Sequence, residues 1–177
     1  YMNHRIKVLD LNGGCVWNNQ TLRNYPHSVA VGSSYVYVGH IDKYVTMYST
    51  NGVHQTNKHY NNYFGYAWGM DINSAGTKLL VSNFNGNRVV EFNLSGQSMT
   101  YNQTSQSSWS SSNGYFARTS DSGYDSNGNI YATDFYNNRV QKFNSVFVYQ
   151  AKVGSWSTSS GFRYPYGMHI DSSDNIY

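Results

Sequence analysis

Short runs in which apolar and polar residues alternate recur along the whole chain, each bounded by a cluster of Asp, Asn, Ser or Gly. Alternation with a period of two puts one set of side chains on each face of a strand, so these runs predict short β-strands joined by tight turns. Near the C-terminal end, Tyr166, Met168 and Ile170 alternate, 171–175 is a turn of Asp, Ser and Asn, and Ile176-Tyr177 begins the next strand. Earlier, Asp125-Ser126-Asn127-Gly128 is the turn, its Asn-Gly pair suited to the positive φ of a tight hairpin. A further strand is expected at 139–143 and a fourth near 147–149. Four short antiparallel strands then form one sheet.

The same pattern comes round four times. Its clearest copies are 128–140 and 79–89, with a degenerate copy at 35–45 and a fourth beginning at Asp174. Aligned on Tyr37, Leu80, Tyr131 and Tyr177, the copies lie 43, 51 and 46 residues apart. Strand-rich units at such a period predict an all-β chain, a β-propeller of four-stranded antiparallel blades. The repeats run approximately 1–24, 25–65, 66–116, 117–163 and 164–177 of a single domain spanning 1–177. Residues 1–6 match 135–140 and Tyr177 matches Tyr131, so both termini fall in mid-blade. Two readings follow: a ring whose last blade is shared between the termini, or a window on a longer array, which we favour.

One blade cannot hide both of its faces. Stacking blades face to face buries the alternating aromatic and β-branched residues, which accounts for Tyr at recurring positions and predicts that Trp17, Trp109 and Trp156 pack between blades. The order Pro-x-Gly-apolar-x-Ile-Asp in 165–171, then Asn-Ile-Tyr, then Asp134-x-x-Asn137-x-Arg139-Val140, resembles the NHL repeat. The resemblance is strong in the third and fourth repeats, fair in the second and weak in the first. It implies a β-propeller, usually of six blades, whose innermost strands line a central channel. Four repeats then mean a partial propeller or a four-bladed ring.

Charged residues make up only 12% of the chain, whereas Tyr reaches 18 copies amid abundant Asn, Ser and Gly. Amides and hydroxyls must provide the solvation, a composition that points to a secreted, surface or glycan-facing protein. Twelve basic against nine acidic residues leave a net charge of +3, too little to draw a phosphate backbone strongly, so nucleic acid is not an expected partner. Arg5, Arg88 and Arg139 recur at one repeat position and are expected to pair with the Asp or Asn preceding them. No apolar run reaches membrane-span length. Cys15 is alone, which excludes an intrachain disulfide and suggests a small buried hydrophobe. Glycosylation sequons occur at Asn19, Asn93 and Asn102, at a frequency that chance supplies in so Asn- and Ser-rich a chain.

Catalytic chemistry has little to build on. The resemblance extends to an extracellular lyase type that completes peptide amidation, in which zinc is held by histidines of Pro-His-x segments. Pro26-His27 is the one match here; Trp68, Ser120 and Tyr166 occupy the equivalent positions of the other repeats. A catalytic zinc needs about three converging protein ligands, so no metal ligand is assigned and no cofactor is expected. The lyase remains the alternative reading, its site completed by further blades. Asp125 to Asn129 resembles the start of a calcium loop, but Tyr136 stands where a bidentate acid is required, so a turn is expected. No nucleophile elbow or Gly-rich phosphate loop occurs. His40, which replaces the Asp134-type residue, is expected to make a structural hydrogen bond.

His27, Trp68, Ser120 and Tyr166 remain as channel-lining or ligand-binding candidates. Rings among amides and hydroxyls suit a sugar or peptide, although the same rings could simply plug a narrow channel. The expected function is a non-enzymatic extracellular module that binds a protein or glycan ligand. It could also assemble with like subunits or neighbouring repeats into a surface or fibrous structure.

Overall fold

The computed structural model describes residues 4–20, 25–59, 63, 65–156 and 161–177. Among these, strands β1 (Arg5–Leu9) and β2 (Cys15–Gln20) pair as a two-stranded sheet. The first complete blade is β3 (Pro26–Val31), β4 (Tyr35–His40), β5 (Tyr44–Ser49) and β6 (His54–His59). The second is β7 (Ala67–Ile72), β8 (Lys78–Asn83), β9 (Arg88–Ser95) and β10 (Ser98–Thr104), with a 3-10 turn at Phe84–Gly86. The third is β11 (Ser122–Tyr124), β12 (Ile130–Asp134), β13 (Arg139–Phe143) and β14 (Tyr149–Val153). Each pairs antiparallel in simple sequence order. The fourth repeat contributes a short hairpin in which His169 and Tyr177 exchange backbone hydrogen bonds of 3.1 and 2.9 Å.

The innermost strands β3, β7 and β11 lie side by side, the propeller arrangement that the repeats predict. No strand pairing joins the β1–β2 sheet to the 169–177 hairpin, so the described sheets form an open arc.

Why the blades stack is plain in β8. Leu79 and Val81 point into a core shared with Tyr37, Val45 and Met47 of the first blade, while Leu80, between them, points into a core with Ile130, Ala132 and Phe143 of the third. Both faces are buried, so β8 reads as an unbroken apolar run. Each such side chain removed from water contributes about 1.5–3 kcal/mol. A third core joins Val36, Val38 and Tyr48 of the first blade to Ile6 and Trp17 of the β1–β2 sheet. Trp17 stacks on Tyr48 and its indole N–H donates to the Thr50 carbonyl at 2.9 Å.

One turn device recurs at one end of the blades. Asp10, Asn73, Asp125, Asn144 and Asp171 each accept backbone N–H groups two or four residues ahead through the side chain. The Asn144 turn holds 144–148 out of the sheet, with Phe147 at φ 58°. The fourth strand therefore starts at Tyr149 and runs to Val153, a correction to the expectation of a strand near 147–149. Cys15 is exposed, contrary to the buried position expected of it.

The Asp/Asn–Arg signature sits at the opposite end. Asp134 and Arg139 face each other across the β12–β13 ladder and form a buried ion pair at 2.7 Å. In the second blade Asn83 and Arg88 occupy the same register, but both donate to the Tyr63 carbonyl instead of to each other. His40, in the first blade, is fully buried, its Nε2 2.9 Å from the Thr46 hydroxyl.

Candidate functional site

Because adjacent strands run antiparallel, the start of each innermost strand lies beside the turn between the second and third strands. That end of the arc collects the 105–121 loop, residues 154–156 and 161–166, the 84–87 and 135–138 turns, and the first residues of β3 and β7. The His27 and Trp68 rings lie 4.2 Å apart, with His27 Nδ1 3.1 Å from the Trp68 carbonyl. Trp68 stacks on Phe84 at 4.3 Å and meets Tyr166 edge-on at 5.9 Å. Phe135 lies 5.6 Å from Phe84 and 6.1 Å from Tyr166, extending the cluster into the third blade. Three of the four residues singled out from the sequence are thus brought together, and Tyr166 is 52% exposed.

Ser120, the fourth, is buried. Its hydroxyl lies 2.9 Å from Thr133 Oγ1 and donates to the Pro165 carbonyl at 3.0 Å, fastening the third blade to the loop entering the fourth repeat. Phe84 and Phe135 were not singled out, yet they share one repeat position, directly after Asn83 and Asp134. That coincidence was available in the sequence. Trp109 and Trp156, expected between blades, are instead 57% and 54% exposed on this same end; only Trp17 packs as anticipated.

The channel below the rings is lined differently. Asp71 Oδ2 accepts the Tyr124 N–H at 2.9 Å and Asp121 Oδ2 accepts the Met168 N–H at 2.9 Å, so each carboxylate fastens an innermost strand to the next. Both border a hollow of about 260 Å³ with His169, Met70 and Val31. Burial pushes the Asp121 carboxyl up to about 6, opposed by the N–H groups of Met168 and Ser122 and aided by the nearby charge of Asp71.

Folding therefore favours protonated Asp121, and stability contributed below pH 3.8 is lost as pH rises towards 6. Wild type is expected to lose on the order of 1–2 kcal/mol from this group between mildly acidic and neutral pH, and Asp121→Asn to flatten that slope. Urea unfolding at a series of pH values measures it; identical slopes in both proteins would refute the assignment.

No group of three or more His, Cys, Asp or Glu among the described residues is placed to hold a metal ion. The Asp125 carboxylate is occupied by Asn127, Asn129 and Tyr131, as a turn requires. Of the sequon residues, Asn19 donates to the Gly52 carbonyl and Asn102, itself exposed, to the Glu91 carboxylate; Asn93 is exposed as well, and Thr21 lies outside the described residues.

Residues 123–143, from β11 through β13 and including the Asp134–Arg139 pair, match the family model described as NHL repeat. No curated protein matches the chain. Among solved structures, the chain is similar to a protein of unknown function from Bacteroides caccae, with a TM-score of 0.68 and 13% identity. The match covers 98% of this chain and 60% of that one, so the chain spans about 60% of the length of that protein. In all, 701 chains of solved structures match, which speaks to the fold and not to an activity. This chain carries an NHL repeat within a β-propeller-type array of four-stranded blades.

Proposed function

We propose that the chain is a non-enzymatic recognition module of an extracellular protein, binding a glycan or peptide segment on the aromatic mouth of its channel. The observation that carries this reading is the convergence of His27, Trp68 and Tyr166, from three different repeats, into one cluster backed by Phe84 and Phe135. Tyr166 keeps an open face, and a flat ring gives apolar contact to a sugar or a side chain at low entropic cost. An extracellular setting is supported by the low charge and by the amide- and hydroxyl-rich composition.

Arrays of glycans and peptides test the reading. Tyr166→Ala, which removes an exposed ring, and Trp68→Ala are each expected to weaken binding about tenfold or more, the loss typical of an aromatic anchor. Unchanged binding in both variants, with their fold retained, would remove the mouth from consideration.

Assembly is a second reading, favoured by the β1–β2 sheet. Beside it, Ile6, Val8, Trp17, Val29, Val31 and Val36 border an apolar hollow of about 360 Å³, in which Val29 and Val31 are 50% and 66% exposed. Exposed apolar strands of this kind are natural contacts for another sheet. Val29→Lys/Val31→Lys is expected to reduce concentration-dependent self-association in analytical ultracentrifugation; an unchanged sedimentation profile argues against assembly through this side.

A further inference from the structure

Beyond the mouth, the ring surface continues outward as a row. Trp109 lies 5.4 Å from Tyr136, Tyr136 5.9 Å from Tyr164, and Tyr164 5.9 Å from Trp156. All four are substantially exposed, at 57%, 43%, 40% and 54%. Such a surface is unusual on a soluble face, where large rings are normally covered. Two guanidinium groups accompany it: Arg118 sits 4.7 Å from the Phe84 ring centre and 5.7 Å from that of Tyr136, and Arg163 sits 5.2 Å from that of Trp156. Neither is among the ion pairs of the described residues, which are Lys78–Glu91, Arg139–Asp134 and Lys142–Asp125.

The acidic residues are distributed so as to leave these arginines unopposed. Asp10, Asp125, Asp171 and Asp174 occupy turns at the other end of the blades, Asp71 lies on β7, and Asp121, directly before β11, turns its carboxylate to the Met168 N–H. Glu91 and Asp134 are buried, Asp134 against Arg139. Asp42 alone remains near this end, in the turn between β4 and β5 of the first blade, away from a row built on the third. The row therefore offers apolar ring faces and edges, Tyr164 standing nearly perpendicular to Tyr136 and Trp156, beside uncompensated positive charge.

We infer that this surface binds an acidic polysaccharide, a chain of sugar rings bearing carboxylates. The inference rests on the recognition reading above and names its ligand class. Sugar rings meet the faces of Trp109 and Tyr136, tilted 36° to one another, and the edges and faces of Tyr164 and Trp156, and the planar guanidinium forks of Arg118 and Arg163 receive carboxylates in bidentate fashion. The cation–π contacts hold both arginines along the ring surface before a ligand arrives, which lowers the entropic cost of binding. Two guanidinium groups along a row of four rings match a polymer whose units carry both a ring and a carboxylate. An inorganic polyphosphate has no ring and would leave the aromatic surface unused.

Calorimetric titration with polygalacturonate and with its methyl ester separates charge from sugar. Wild type is expected to bind the acid form about tenfold more tightly, the scale of one or two charge-assisted hydrogen bonds, with the difference shrinking as salt is added. In Arg118→Gln/Arg163→Gln, shown to be folded by thermal unfolding, the two forms should bind alike. Equal affinity of wild type for both forms would overturn the acidic specificity while leaving sugar recognition standing. Binding of neither form, alongside retained binding of peptides, would overturn both for carbohydrates. Tighter binding of polyuridylate than of polygalacturonate would place the surface with nucleic acids and overturn the inference.

Discussion

Asp134→Ala should destabilise the chain by about 3–5 kcal/mol, the cost of leaving a buried charge without its partner. Asp134 Oδ1 accepts the Ala117 N–H at 2.8 Å, and Oδ2 accepts from Arg139 Nε at 2.7 Å and Gln141 Nε2 at 3.1 Å. Asn137 Nδ2 donates to both oxygens. Arg139 in turn donates through Nη2 to the carbonyls of Ser112 and Tyr115, so the pair fastens the incoming 105–121 loop to the third blade. Removing the carboxylate strands a guanidinium that is 4% exposed.

Asp134→Ala/Arg139→Met, which removes both charges, should recover part of the loss. Asn83→Ala in the second blade should cost less, about 1–2 kcal/mol, because that network is neutral on the Asn side. Guanidinium denaturation measures all three. A loss below about 1 kcal/mol for Asp134→Ala would show that the pair is not a structural fastening.

Gly69→Ala tests the contact between blades directly. A Cβ at this position would stand 2.3 Å from Asp121 Oδ1, 2.7 Å from the Ser120 carbonyl and 2.8 Å from the Asp121 Cα, all on the neighbouring blade. Two of these are backbone atoms, so relief requires β7 and β11 to move apart and the shared core of Leu80, Ile130 and Phe143 to loosen. Overpacking of this kind costs about 1–3 kcal/mol, and Gly69→Val should cost more. Gly167→Ala is the control, since a Cβ there meets nothing within 4 Å and should change stability by less than about 0.5 kcal/mol. Equal stability of Gly69→Ala and Gly167→Ala would mean that β7 and β11 do not approach so closely.

The strands were legible in the sequence because the blades bury both faces and repeat. β8 and β12 recur with the same apolar core and the same terminal Asn or Asp, and the turn residues Asp125 and Asp171 announce their hairpins through side chains that cap the backbone locally. Local chemistry of this sort is written in adjacent residues. The mouth was legible in part: His27, Trp68 and Tyr166 share a repeat position, and the curvature of the arc draws that position together. Ser120 shares it too, but its small hydroxyl is spent on Thr133 and Pro165.

The outer row was hidden because it depends on the 105–121 loop and on residues 154–156 and 161–166, whose places follow from long-range contacts. Arg118 takes a positive φ of 64° and its N–H donates to Asn87 Oδ1 of the preceding blade. No periodicity marks that bond. Trp109 and Trp156 were expected between blades because each lies five residues before a Gly-aromatic pair, but the Arg139 bonds to Ser112 and Tyr115 with the Phe116 bridge keep Trp109 on the outside, and the Phe162 bridge keeps Trp156 there. The carboxylates of Asp71 and Asp121 likewise reach N–H groups 53 and 47 residues away, a pairing visible only once the blades are stacked.

The most direct measurement is a nuclear Overhauser spectrum of protein with labelled aromatic rings. Trp68 and Tyr166 are 98 positions apart in the chain, yet their ring centres lie 5.9 Å apart because successive blades turn about one axis. Cross-peaks from Trp68 to His27, Phe84 and Tyr166 together are the expected result. A strong Trp68–Phe84 peak, which needs only the second blade, without any peak to Tyr166 would contradict the shared mouth.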